Sequence, residues 1–169
     1  GAEGGTALAD ILFGAVNPSG RLPVTYYEST SDLPPFEDYS MKNRTYRYFK
    51  GKVLYPFGYG LSYTTFSYSA LSLQDNGISS NETLSVCLDV QNTGRMDGYE
   101  TVQLYLNYPI GTPDAPLKRL VRFQKIFLHA GESSRVRFTL EPQDFCYIDA
   151  QGERQIQKGV FTLYCGRHC

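Results

Sequence analysis

The stretch Thr83-Leu84-Ser85-Val86-Cys87-Leu88-Asp89-Val90-Gln91 alternates apolar and polar residues without a break, with Leu84, Val86, Leu88 and Val90 on one face and Ser85, Cys87, Asp89 and Gln91 on the other. Successive side chains of an extended chain point to opposite faces, so this period of two predicts a strand with one face in a core. Strand-like runs recur at 66–73, 100–107, 119–128, 133–140, 145–148 and 160–165. Turn formers separate them: Asp75-Asn76-Gly77, Asn92-Thr93-Gly94, Asp97-Gly98, Ala130-Gly131 and Gln151-Gly152. About seven short strands in roughly 105 residues, with little helix between them, predict an immunoglobulin-like or fibronectin-like β-sandwich.

The first sixty residues have another character. Ala7, Leu8, Ile11 and Leu12 recur at helical spacing, so residues 1–14 read as one short helix with an apolar stripe and Gly14 as its stop. Asn17-Pro18-Ser19-Gly20 reads as a turn, and Arg21 to Tyr27 as a short extended piece. Residues 28–60 lack periodicity, yet Tyr39, Tyr46, Tyr48, Phe49, Tyr55, Phe57 and Tyr59 make them too aromatic for a disordered linker. One helix and one short strand have nothing to pack on by themselves, since each element buries its apolar face against another layer. The missing layer is expected in upstream sequence, so the chain reads as a truncated C-terminal piece whose first sixty residues are poorly held when alone. Its start at Gly1, with Met41 and Met96 as the only methionines, agrees with that reading.

Charge and cysteine content exclude other classes. Sixteen basic against 17 acidic residues give a net charge of −1, which provides no basic face for nucleic acid. The one basic cluster, Lys118, Arg119, Arg122 and Lys125, falls in a strand and is expected to form a solvated outer face. No apolar run approaches the roughly 20 residues of a membrane span. Cys87, Cys146, Cys165 and Cys169 have no CxxC spacing, and the terminal Cys165–Cys169 run with His168 offers too few ligands for a closed zinc site. No metal or cofactor is expected, and no disulfide pairing follows. Cys165 reads as buried beside Phe161 and Leu163, Cys87 as lying on a polar face, and His129 as a turn residue. Asn43-Arg44-Thr45 and Asn81-Glu82-Thr83 fit the N-glycosylation pattern without fixing a compartment.

Longer motifs carry a resemblance. Gly4-Gly5-Thr6-Ala7-Leu8-Ala9-Asp10-Ile11-Leu12-Phe13-Gly14 followed by Asn17-Pro18-Ser19-Gly20-Arg21-Leu22-Pro23 resembles the end of the α/β sandwich domain of family 3 glycoside hydrolases. Leu54-Tyr55-Pro56-Phe57-Gly58-Tyr59-Gly60-Leu61-Ser62-Tyr63-Thr64 resembles the linker into the last domain of that family. Asn92-Thr93-Gly94 with Gly98, then Thr101-Val102-Gln103-Leu104-Tyr105, and the tail Gly159 to Gly166, are similar to its fibronectin type III-like domain. The expected fold is therefore mainly β: residues 1–62 are the terminal helix, strand and linker of an α/β sandwich domain, and residues 63–169 a fibronectin type III-like domain.

The resemblance implies a retaining, exo-acting β-xylosidase or β-glucosidase, in which one carboxylate attacks the anomeric carbon and a second carboxylic acid protonates the leaving oxygen. In the family these sit in a TIM barrel and in the upstream part of the α/β sandwich. No catalytic residue is therefore assigned here, and those two domains, together with a β-linked oligosaccharide, are the expected partners. Glu28 and Asp32, or Glu37 and Asp38, read as solvated loop acids, because no apolar pocket is in view to raise one pKa. Tyr39, Arg44, Tyr46 and Arg47 are the candidate sugar contacts, since rings stack on pyranose C–H faces and guanidinium groups donate to hydroxyls. The competing expectation is that this segment packs the linker, with Arg44 and Arg47 tying down loop carbonyls. The runs Leu33 to Tyr39 and Arg44 to Tyr48 lean towards xylosidase-like members. The rival reading of the whole chain is a stand-alone carbohydrate-binding or adhesion module, against which stands the orphan helix with its apolar stripe; the last hundred residues, where no cluster of exposed aromatics is expected, read as a structural brace for the catalytic domains.

Overall fold

A computed structural model describes residues 1–168. The apolar stripe at helical spacing forms α1 (Gly4–Leu12), which Gly14 terminates in the left-handed region at φ 76°. Residues Asn17 to Gly20 run on without a turn, and only β1 (Tyr26–Tyr27) of the expected extended piece is a strand. The stretch expected to be irregular holds a 3₁₀ turn at Thr30–Asp32, a helical turn α2 (Thr45–Tyr48) and β2 (Val53–Tyr55), which pairs antiparallel with β1.

The sandwich follows with β3 (Phe66–Leu73), β4 (Leu84–Asn92), β5 (Gly98–Asn107), β6 (Arg119–Leu128) and β7 (Ser133–Leu140). The expected strand at 145–148 is instead a 3₁₀ turn at Pro142–Phe145 leading into β8 (Tyr147–Ile148), which pairs with β9 (Arg154–Gln155). Pro142 has no N–H for a ladder and sets the turn's first residue. The chain closes with β10 (Thr162–Gly166). Two three-stranded antiparallel sheets, ordered β3-β4-β7 and β10-β5-β6, face each other. Between them lie Val86, Leu88 and Val90 of β4, Val102, Leu104 and Leu106 of β5, and Val136, Phe138 and Leu140 of β7, all buried as the alternation requires. β3 is interrupted: its pairing with β4 breaks between Ser69 and Ser72, where Ala70 takes φ 51°.

The basic cluster is not a solvated face. Pairing jumps from Leu104↔Arg122 to Tyr105↔Leu120, so Val121 is an extra residue in β6 that reverses the chain's parity. Arg119 and Arg122 thereby share the inward side at the sheet edge and cap the 3₁₀ turn. Arg122 donates to both carboxylate oxygens of Asp144 (2.8 and 2.5 Å) and to Thr139 O (3.1 Å), while Arg119 donates to Asp144 O. Lys118 lies over the Tyr164 ring, and of the four only Lys125 is exposed. The outer face of β6 carries Phe123 and Phe127 instead. Beside β5 they join Tyr99, whose ring packs on Phe127 (4.9 Å between centroids) and lies under the Lys125 ammonium. This corrects the expectation that no exposed aromatics cluster in the last hundred residues.

Candidate functional site

The segment from Asp38 to Phe49 lies over the outer face of the β5–β6 sheet. Thr45 N donates to Tyr27 Oη (2.9 Å), and Leu117 N donates to Arg47 O (2.6 Å), so α2 is tied both to β1 and to the chain entering β6. Tyr46 lies between the linker and the sandwich. Its ring stacks on Phe57 (4.2 Å, 20°), meets Tyr105 edge-on (6.0 Å), and its hydroxyl accepts from Leu120 N (3.0 Å). Arg44 folds back over its own loop and donates from Nε to Ser40 O (2.9 Å) and from Nη2 to Asp38 O. The Arg47 guanidinium sits 5.5 Å from the Tyr48 ring, and its buried Nε has no hydrogen-bond partner among the described residues. Tyr39 is different: it is 87% exposed. The four candidates are thus split, with Arg44 and Arg47 packed within the segment, Tyr46 packed between linker and sandwich, and Tyr39 facing outward. A cleft of about 220 Å³ opens beside Tyr46, between Thr25, Phe49, Phe57, Leu117 and Lys118, below the roughly 300 Å³ at which ordinary ligand pockets begin.

The acids nearby do other work. Asp32 accepts from Ser29 N (3.1 Å) at the start of its 3₁₀ turn. Asp38 accepts from Ser40 N (2.8 Å), and that hydrogen bond, with the cations Arg44 and Lys42, holds its carboxyl below the ordinary value. A glycosidase general acid needs the opposite shift, a carboxyl kept protonated by an apolar site. Burial pushes the Cys165 thiol up to about 11, in keeping with its packing against the core. No group of three His, Cys, Asp or Glu among the described residues is placed to hold a metal ion, and no described helix is long and apolar enough to cross a membrane. Cys169, the last member of the terminal cysteine run, lies outside the described residues.

His129 does lie at a turn, and it is also paired: Nδ1 is 2.8 Å from Asp97 Oδ2, while Asp97 Oδ1 accepts from Ala130 N (2.9 Å). The hydrogen bond to Asp97, then its charge, raises the His129 pKa; the same bond, with that of Ala130, lowers Asp97. A raised folded-state pKa stabilises fully below the ordinary histidine value of about 6.5 and is lost as pH rises through the folded value. The lowered Asp97 stabilises above the ordinary carboxylate value of about 3.9 and is lost as pH falls through its folded value. The stability difference between the wild-type chain and His129→Asn is therefore expected to be largest between about pH 4 and 6.5. It should shrink on either side, as read from melting curves across pH; a difference that grows from pH 6.5 to 9 would contradict the pairing.

Two antiparallel sheets with a helix and an aromatic linker ahead of them define a fibronectin type III-like sandwich joined to the tail of another domain. Residues 100–169 match the fibronectin type III-like domain and residues 1–63 the glycosyl hydrolase family 3 C-terminal domain. The chain belongs to glycosyl hydrolase family 3. It is 44% identical over 151 residues to a xylan 1,4-beta-xylosidase of Xylanibacter ruminicola, covering 89% of this chain and 17% of that protein. It is 40% identical to the thermostable beta-glucosidase B of Acetivibrio thermocellus, over 96% of this chain and 23% of that one. Beta-glucosidase 3B from Thermotoga neapolitana, solved with alpha-D-glucose, superposes with a TM-score of 0.87 at 35% identity, over 98% of this chain and 25% of that one. The chain thus spans between a sixth and a quarter of the length of these relatives.

Proposed function

We propose that this chain serves as the C-terminal portion of a retaining, exo-acting β-glycosidase, of the β-xylosidase or β-glucosidase type, and is itself a non-catalytic brace. The observation that carries this is the helix α1. It buries no residue fully, and Leu8 (58% exposed), Leu12 (69%) and Phe13 (90%) turn their apolar surface outward. A stripe of that kind suits a further layer of protein, here the rest of an α/β sandwich, with a TIM barrel beyond it. Full-length relatives that carry the same region at 40–44% identity are named for hydrolysis of xylosides and glucosides. Residues 1–62 then finish the α/β sandwich domain and residues 63–169 form the fibronectin type III-like domain, with both catalytic carboxylates in the other domains. Within this reading Tyr39 is the residue available to a sugar, and Arg44, Tyr46 and Arg47 hold the segment that presents it.

The chain by itself is expected to show no turnover of aryl β-xylosides or β-glucosides. Hydrolysis that copurifies with it, and that disappears when one of its own carboxylates is replaced by the amide, would overturn the proposal. The coding sequence ahead of Gly1 provides the complementary check. An open frame encoding a barrel and a carboxylate pair supports the reading, and a start codon at that point contradicts it.

A further inference from the structure

Glu100 occupies the same face of β5 as Val102, Leu104 and Leu106, which places a carboxylate on the core side of the sandwich with no exposure to solvent. A lone charge there would cost several kcal/mol, and such groups persist only when paired. Part of the pairing is internal: Tyr68 of β3 donates its hydroxyl to Oε1 at 2.9 Å, and Arg167, beyond β10, brings Nε to 3.9 Å from Oε2. The close counter-ion is not from the sandwich. Arg21 Nη2 lies 2.9 and 2.8 Å from the two oxygens, 79 residues away in sequence and nine-tenths buried. Its own Nε and Nη1 are buried without hydrogen-bond partners among the described residues, so Glu100 is what compensates this guanidinium. The housing is tight: a Cβ on Gly60 would run into Gly20 O and Arg21 Nη1.

Neutral bonds hold the segment together and tie it to the sandwich. Within the segment Leu22 N donates to Tyr59 O and Gly58 N to Leu22 O, both at 2.8 Å. Gln103 Nε2 donates to Gly58 O (3.3 Å) and to Arg167 O (2.5 Å), and Tyr105 Oη donates to Gln103 Oε1 (2.5 Å). Asn17 donates to Asp97 O (2.9 Å) and accepts from Tyr63 N (2.9 Å). Segment and sandwich therefore share both a charge pair and a hydrogen-bond seam.

The geometry points to Arg21 as a component of the sandwich core. The β-sandwich is completed by the segment that precedes it, and residues 17–168 fold as one cooperative unit rather than as a tail attached to an autonomous module. This runs against the expectation that the first sixty residues are loosely held on their own. It holds whatever reaction the longer protein performs.

Urea unfolding of the whole chain tests it with R21M, E100Q and the double variant. R21M is expected to lower the midpoint by about 1–3 M, the range that follows from breaking one side of a buried pair. E100Q placed in the R21M background is expected to recover at least half of that loss, because a neutral amide needs no cation. An Arg21 that only filled space would give no such rescue. A midpoint for R21M within about 0.3 M of wild type, or a double variant no better than R21M, overturns the proposal. Should R21M yield no folded protein, amide exchange on the wild-type chain decides. Protection of Leu22 and Gly58 within tenfold of the amides of β4 and β5 supports one cooperative unit; faster exchange than that overturns it.

Discussion

Asn92→Ala is expected to lower the unfolding free energy by about 3–4 kcal/mol, a larger loss than any surface change in this chain should produce. The side chain is fully buried and uses its whole hydrogen-bonding capacity, two acceptor and two donor positions. Oδ1 accepts from Thr64 Oγ1 (2.6 Å) and Gly94 N (3.1 Å), and Nδ2 donates to Met96 O (2.8 Å) and Leu128 O (3.1 Å). One amide thus joins the entry to the sandwich, the loop between β4 and β5, and the end of β6. Alanine removes the amide and leaves four polar groups facing a gap that the backbone cannot close. Asn92→Asp should be nearly as damaging, because a carboxylate cannot donate to either carbonyl. Chemical denaturation with an unchanged slope measures the loss, and a cost below about 1 kcal/mol would mean that water replaces the amide.

Tyr46→Ala ranks next, at about 2–4 kcal/mol, slightly below the range for a fully buried aromatic because Tyr46 is only half-buried. Its ring stacks on Phe57 and is edged by Tyr105, so deletion removes a contact between the linker and the β5–β6 sheet. Tyr46→Phe retains the ring and should cost about 1 kcal/mol, the hydroxyl's bond to Leu120 N being lost. This pair of variants separates bracing from sugar recognition. If Tyr46 braces, stability falls in the order wild type, Phe, Ala in the isolated chain, where no sugar is present. If both variants melt like the wild type and only ligand affinity in a full-length protein changes, Tyr46 is a sugar contact.

The readability of the sequence tracked how local each determinant is. β4 was legible because Leu84, Val86, Leu88 and Val90 obey a period of two with turn formers on both sides, and the bounds of β3, β6 and β7 followed from the same local rule. For β6 the sequence marks the bounds but not the faces. One extra residue, Val121, swaps the two sides, and a bulge leaves no mark in an apolar-rich run. The short pieces β1, β2, β8 and β9 depend on partners rather than on their own pattern, so nothing in two or three residues announces them. Arg21 and Glu100 looked like ordinary polar residues, since a pairing across 79 positions is a property of the fold alone. At the candidate site, composition marks Tyr39, Arg44, Tyr46 and Arg47 as rings and guanidinium groups close together in sequence. What composition does not encode is direction: α2 turns Tyr46 towards Phe57 and Tyr105 and leaves Tyr39 outward.

The interruption in β3 bears on how these molecules behave in a crowd. β3 is the outer strand of its sheet, and an outer strand with a straight backbone offers a ready template to a neighbouring copy. Here Ala70 at φ 51° breaks the run of regularly spaced amides and carbonyls midway, so an incoming chain finds its register interrupted after a few residues. A left-handed alanine costs on the order of 1 kcal/mol. What that cost secures is solitude: the kink works against pairing of a second copy along the β3 edge, where Leu71 and Leu73 are exposed.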